Sequence, residues 1–173
     1  MDTPPQGGYN QAGMQRALVQ IYTGDGKGKT TAALGLVLRA CGHGLKVFIA
    51  QFVKGMDYGE LRSLRRFTDL VTLRQYGREC FIRREPTEED VRLAREGWAE
   101  VQQVLQAGGH DLVVLDEIGI ALHYRLIALA EVEELLDRRP EGTELVLTGR
   151  RIPESLFARA DLVTEMREVK HYY

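Results

Sequence analysis

The sequence predicts a three-layer α/β fold built on a mainly parallel sheet. Three observations point there. Short apolar runs alternate with helix-type patterns from residue 17 to the end of the chain, which is the signature of βαβ crossovers. The run Lys-Val-Phe-Ile-Ala-Gln-Phe-Val at 46–53 is apolar on both faces, as a strand covered by helices on both sides must be. A third observation is the glycine-rich turn at 24–28, which joins such a run to an apolar helix pattern, the arrangement that holds phosphates at the head of a sheet.

The elements follow in order. Residues 1–16, with Pro, Gly, Gln and Asn and few large apolar side chains, read as a flexible tail or as a flap that orders over a ligand or partner. Residues 17–173 read as a single domain; a chain of 173 residues is long enough for one sizeable core. Ala17–Thr23 is a strand that ends at the loop. Lys29–Cys41 is a helix, and Gly42 and Gly44 stop it. Lys46–Val53 is a buried strand, Glu60–Arg66 a short helix, and Val71–Tyr76 a strand. Pro86-Thr87-Glu88-Glu89-Asp90 opens a helix, with Thr87 as cap and acids where the dipole favours them. Val91, Ala94, Trp98, Val101 and Leu105 then form one apolar face, which makes Trp98 a core residue. Asp111–Asp116 is a strand, Ala130–Arg138 a helix, Glu144–Thr148 a strand, Pro153–Arg159 a short helix and Leu162–Met166 a last strand.

Composition removes several classes. The net charge of −2 argues against broad nucleic-acid binding. No apolar run is long enough to span a bilayer, and the first residues carry neither a basic start nor an apolar stretch. Cys41 and Cys80 lack metal-ligand spacing and are expected to be reduced thiols, so a cytoplasmic location is expected.

The chemistry concentrates at three strand ends. Thr23-Gly24-Asp25-Gly26-Lys27-Gly28-Lys29-Thr30-Thr31 is a phosphate loop: glycines let backbone N–H groups curl around anionic oxygens, and the helix start adds partial positive charge. Lys29 reaches phosphate oxygens and the Thr30 hydroxyl suits Mg²⁺. Counted back from Gly28-Lys29-Thr30, the usual first glycine position holds Thr23, so the loop is one residue short and carries an additional Lys27. The second strand end is Leu112-Val113-Val114-Leu115-Asp116-Glu117. Its acidic pair emerges beside the phosphate loop and can hold Mg²⁺ directly or through water, with either carboxylate as the ligand. The third is Leu147-Thr148-Gly149-Arg150-Arg151, where Arg150, ahead of Arg151, can fork onto phosphate. Arg39 and Lys54 give a fainter signal of the same kind. No Ser–His or Cys–His arrangement appears, and His43, His110 and His123 read as structural. The residues thus describe MgATP binding without an evident base.

These stretches resemble the ATP:corrinoid adenosyltransferases. The likeness runs through Tyr22 to Ala33, Gln51-Phe52-Val53-Lys54-Gly55 with Gly59-Glu60, Leu112 to Glu117, Leu147-Thr148-Gly149-Arg150, and Ala160 to Met166 with Lys170-His171. The short loop is itself a mark of that family. The resemblance implies a RecA-like P-loop NTPase fold and a homodimer that draws electrons from a flavoprotein or other reductase. It implies attack of a corrinoid Co(I) on C5′ of ATP, with triphosphate leaving and the nucleotide reversed relative to ordinary P-loop enzymes. The alternative is a P-loop small-molecule kinase or NTPase acting at the γ-phosphate. By motif position, Thr23 to Thr31 and Arg150 bind the nucleotide, Lys29 and Glu117 act in catalysis, and Thr30, Asp116 and Glu117 take Mg²⁺. Phe81, Ile82 and Glu60 are the corrinoid candidates. Two departures stand out. Where family members carry Gly-x-Gly-Phe-Thr-Trp, this chain reads Gly77-Arg78-Glu79-Cys80-Phe81-Ile82, leaving Phe81 as the lone aromatic. And His171 is followed by Tyr172-Tyr173, where members continue into a Gly-Ile-Glu tail.

Overall fold

The computed structural model describes residues 17–79 and 85–172. Six parallel strands form one sheet in the order β3-β2-β4-β5-β1-β6. The strands are β1 (Val19–Thr23), β2 (Val47–Phe52), β3 (Val71–Tyr76), β4 (Leu112–Asp116), β5 (Glu144–Thr148) and β6 (Leu162–Glu165). The helices are α1 (Lys29–Gly42), α2 (Gly59–Leu64), α3 (Glu88–Ala107), α4 (Ile118–His123) and α5 (Leu129–Asp137). Every strand pairing is parallel, so all strand carboxyl ends share one edge of the sheet.

Alternation along the strands makes two cores. Phe48, Ala50 and Phe52 of β2, with Val113 and Leu115 of β4, face one side, where they meet Ala94, Trp98 and Val101 of α3 and Val132 and Leu136 of α5. Val47 and Ile49, with Leu112 and Val114, face the other side and meet Ala33, Val37 and Cys41 of α1. Period-two patterning thus feeds both layers, which is why β2 and β4 read as continuous apolar runs. Trp98 is a core residue, 1% exposed. The edge strand β6 is different: all four of its residues are exposed.

The start of α3 departs from the expected apolar face. Val91 is 42% exposed, and Asp90 beside it is buried. Asp90 accepts from the Thr87 backbone N–H and hydroxyl, returns a backbone N–H to the Thr87 hydroxyl, and takes both prongs of the Arg78 guanidinium at 2.8 and 2.9 Å. The first turn is therefore fixed by a capping box and a charged fork, and packing begins only at Ala94. At Gly97 the helix meets the sheet so closely that a Cβ would lie 2.3 Å from the Tyr76 ring. Helix α4 was not expected from the sequence. It is six residues long, too short for a period to show, yet Ile118, Gly119, Ala121 and Leu122 are buried.

Candidate active site

The phosphate loop leaves β1 and is clamped from behind by the segment that follows β6. Gly26 N–H donates to the Met166 carbonyl at 2.7 Å, and Met166 N–H donates to the Thr23 carbonyl at 2.8 Å. Gly24 has a φ of 91°, and a Cβ there would lie 2.4 Å from the Met166 carbonyl oxygen. Side chains are excluded at Gly24 and at Gly26 by this backbone contact, and the positive φ adds a second reason at Gly24. Gly28, with φ 119°, caps α1 without any side-chain hydrogen bond, so the helix start faces the loop. Lys29 folds back over the loop, and its Nζ donates to the Gly24 and Gly26 carbonyls, each at 2.7 Å. Burial pulls the Lys29 pKa down, with Arg150 acting the same way and Glu117 and Asp25 opposing.

Asp116, at the end of β4, is 1% exposed and is the hub of the site. Its Oδ1 accepts from the Thr30 hydroxyl at 2.9 Å and the Thr148 hydroxyl at 2.6 Å. Its Oδ2 accepts from Gln51 Nε2 at 3.1 Å and from Lys54 Nζ at 2.6 Å. The carboxylate is thus matched by donors from α1, β2, the turn after β2, and β5. Glu117 follows in a left-handed conformation, φ 60°, and its N–H donates to the Thr148 hydroxyl at 3.0 Å. Burial pushes the Glu117 carboxyl up, reinforced by the Asp116 charge and opposed by Lys54, Lys29 and Arg150.

A cavity of about 690 Å³ opens over this edge. Gly26 to Thr31 line it together with Lys54, Glu117, Tyr124 and Arg150. His171 and Tyr172 also line it, and the Tyr172 hydroxyl accepts from Lys27 Nζ at 2.8 Å.

Of the sequence candidates, Gly26, Lys27, Gly28, Lys29, Thr30, Thr31, Glu117 and Arg150 line this one cavity. Thr23 and Gly24 sit behind the loop against Met166, and Asp25 is exposed at its outer bend. Arg151 turns away, 2.6 Å from His123 Nε2. Glu60 lies in a side-chain chain leading to Asp116: Gln51 Nε2 reaches Glu60 Oε1 at 3.4 Å, and Gln75 Nε2 donates to Gln51 Oε1 at 3.1 Å. Phe81 and Ile82 lie outside the described residues. The sequence reading missed Thr148 and Gln51 as site residues. Both fall inside stretches that carry the family resemblance, and a polar residue at the end of an otherwise apolar buried strand was the available signal.

A family model described as ATP:corrinoid adenosyltransferase BtuR/CobO/CobP matches residues 15–173. The chain belongs to this family. Relatives carrying the name corrinoid adenosyltransferase include one from a Sinorhizobium species, 37% identical over 160 residues, 91% of this chain and 75% of the relative. One from Pseudomonas aeruginosa is 37% identical over 164 residues, 94% and 81% of the two chains. One from Escherichia coli K12 is 35% identical over 170 residues, 94% and 83%. As an ATP:corrinoid adenosyltransferase the protein is a transferase whose substrates are ATP and a corrinoid. Among the described residues, no helix of this adenosyltransferase is long and apolar enough to cross a membrane.

Proposed function

We propose that the phosphate loop grips the triphosphate of ATP so that C5′ of the ribose, rather than the terminal phosphorus, faces the corrinoid. The observation that carries this reading is the convergence of Lys29, Thr30, Glu117 and Arg150 on one cavity in a member of this family. The lone pair of a corrinoid Co(I) forms the Co–C5′ bond, the cobalt becoming Co(III). The C5′–O5′ pair departs with triphosphate. Such a nucleophile carries no proton, so the residues serve instead to orient the reactants and to stabilise charge on the leaving group. Lys29, released from the Gly24 and Gly26 carbonyls, donates to phosphate oxygens, as do the loop N–H groups and Arg150.

Mg²⁺ fits the residues present. The Thr30 hydroxyl and the Asp116 and Glu117 carboxylates are hard oxygen donors, the kind the ion selects. An ammonium, that of Lys54, already lies against two of them. Among the described residues no group of three His, Cys, Asp or Glu side chains converges, so nucleotide oxygens and water would complete the shell. Bound there, the ion would neutralise charge on the departing triphosphate.

Glu60, with Phe81 and Ile82, is assigned to the corrinoid side, a homodimer is the assembly, and a flavoprotein or another reductase supplies the electrons. Incubation with MgATP and chemically reduced cobalamin tests the reaction. Adenosylcobalamin and triphosphate are the expected products, and ADP as the main product overturns the assignment in favour of γ-phosphate transfer.

A further inference from the structure

We propose that Lys54 holds the metal's place in the nucleotide-free protein and gives it up when the triphosphate arrives. The inference rests on the reading of Thr30 and Asp116 as metal ligands. Lys54 Nζ lies 2.6 Å from Asp116 Oδ2 and 3.1 Å from Thr30 Oγ1. Those oxygens belong to the two side chains that would face Mg²⁺, whose ligands sit at about 2.0–2.1 Å. An ammonium and a divalent ion cannot occupy that spot together, and their like charges repel strongly at such range.

The arrangement answers a physical need. Asp116 is buried, and a buried carboxylate without a cation is strongly disfavoured. Lys54 meets that need while no metal is bound. Its backbone is fixed: the preceding Val53 has φ 57°, and a Cβ on Gly77 would lie 2.3 Å from Lys54 N, so the turns after β2 and β3 rest backbone on backbone. Exchange must therefore occur by rotation of the long side chain, which lysine allows. The destination is also on hand. Lys54 lines the cavity with Lys27 and Arg150, where triphosphate oxygens would draw its ammonium, and the Tyr58 ring lies 5.7 Å from Nζ. The metal then enters with the nucleotide and binds poorly alone.

The test is Mn²⁺ titration by electron paramagnetic resonance on the full chain without nucleotide. Lys54→Met should bind Mn²⁺ about tenfold or more tightly than wild type, because one repelling charge is removed, and the gain should vanish in Lys54→Met/Asp116→Asn. Melting gives a second readout: Lys54→Met melts below wild type and regains the difference on adding Mn²⁺, whereas wild type hardly responds. Lys54→Gln serves if the Met variant does not fold. Mn²⁺ affinity in these variants equal to or below that of wild type overturns the proposal. Mn²⁺ with ATP separates the two layers of the argument. If Asp116→Asn holds Mn²⁺–ATP as well as wild type, the ligand assignment itself fails. If Asp116→Asn loses it while Lys54→Met gains nothing, only the role of Lys54 falls.

Discussion

Thr148→Val is the sharpest probe of the site, because it removes one hydroxyl and almost no volume. Thr148 is fully buried at the end of β5. Its hydroxyl donates to Asp116 Oδ1 at 2.6 Å and accepts from Glu117 N–H at 3.0 Å. Valine leaves the Asp116 carboxylate one donor short and the Glu117 N–H without its acceptor. A hydrogen bond to a charged group is worth about 1.5–3 kcal/mol, and an unsatisfied buried donor costs about 1–3 kcal/mol. The two overlap, and Glu117 keeps some access to solvent, so the expected loss is about 2–3 kcal/mol. For a domain of this size that corresponds to a fall in melting temperature of about 4–12 °C. Glu117 is left-handed and rests its N–H on this hydroxyl, so the carboxylate should also lose its position. Adenosylcobalamin formation from preformed Co(I) should drop with it. Thr148→Ser keeps the hydroxyl and should recover most of both losses. Differential scanning calorimetry and a single-turnover assay read the two effects. A Thr148→Val protein that melts with wild type, or a Thr148→Ser protein equally impaired, refutes the reasoning.

Other substitutions follow from the same geometry. Lys29→Ala removes the ammonium proposed to donate to phosphate oxygens and should weaken ATP binding by about 10²-fold or more by calorimetry, with turnover largely lost; wild-type turnover would mean that the loop is not the phosphate site. Gly26→Ala places a Cβ 2.7 Å from the Met166 carbonyl oxygen, so hydrogen exchange should show the amides of Gly26 and Met166 losing protection together, and ATP affinity should fall. Glu144 is far from this edge, and burial pushes its carboxyl up, partly countered by the hydrogen bond from Gln20. As pH rises through the ordinary carboxylate range the unfolded chain releases this proton before the folded one does, so stability is lost with rising pH. Glu144→Gln should therefore match wild type in acid and melt higher at neutral pH, a gap that thermal melts across pH would reveal.

Much of the fold was legible because it is written in periodicity. β2 showed itself as a strand apolar on both faces, β4 as an apolar run ending in an acidic pair, and Val71–Tyr76 and Glu144–Thr148 have the expected bounds. Failures came where a polar contact outweighs the pattern. Val91 sits on the predicted face of α3, but the first turn is held by Asp90 and Arg78, not by burial. α4 follows a left-handed Glu117, a conformation that a non-glycine residue adopts only when its surroundings enforce it. At the site, the loop and the acidic pair were readable because their chemistry is local in sequence. The convergence of Gln51, Lys54 and Thr148 on Asp116 was not, although Lys54 and the stretch holding Thr148 had each been singled out. Gln51, Lys54 and Thr148 belong to β2, the turn after it, and β5, and their meeting depends on strand order, which periodicity does not encode.

That order also explains how a site with no proton to move can be built. β5 lies between β1 and β4. Strands are spaced about 4.8 Å apart, so the phosphate loop and the acidic pair leave the sheet roughly 10 Å from one another. The cavity opens over that span, and β5 between them sends the Thr148 hydroxyl to Asp116 Oδ1. Within that slot the polar groups already satisfy one another: Lys29 on the loop carbonyls, Lys54 and Thr30 on Asp116, and Glu117 N–H on Thr148. On the proposed reading, a triphosphate would replace these internal partners with its own oxygens, and few dipoles would have to reorient when the C5′–O5′ bond breaks. Preorganisation of this kind is the largest contribution a protein can make when its substrate brings the nucleophile ready-made.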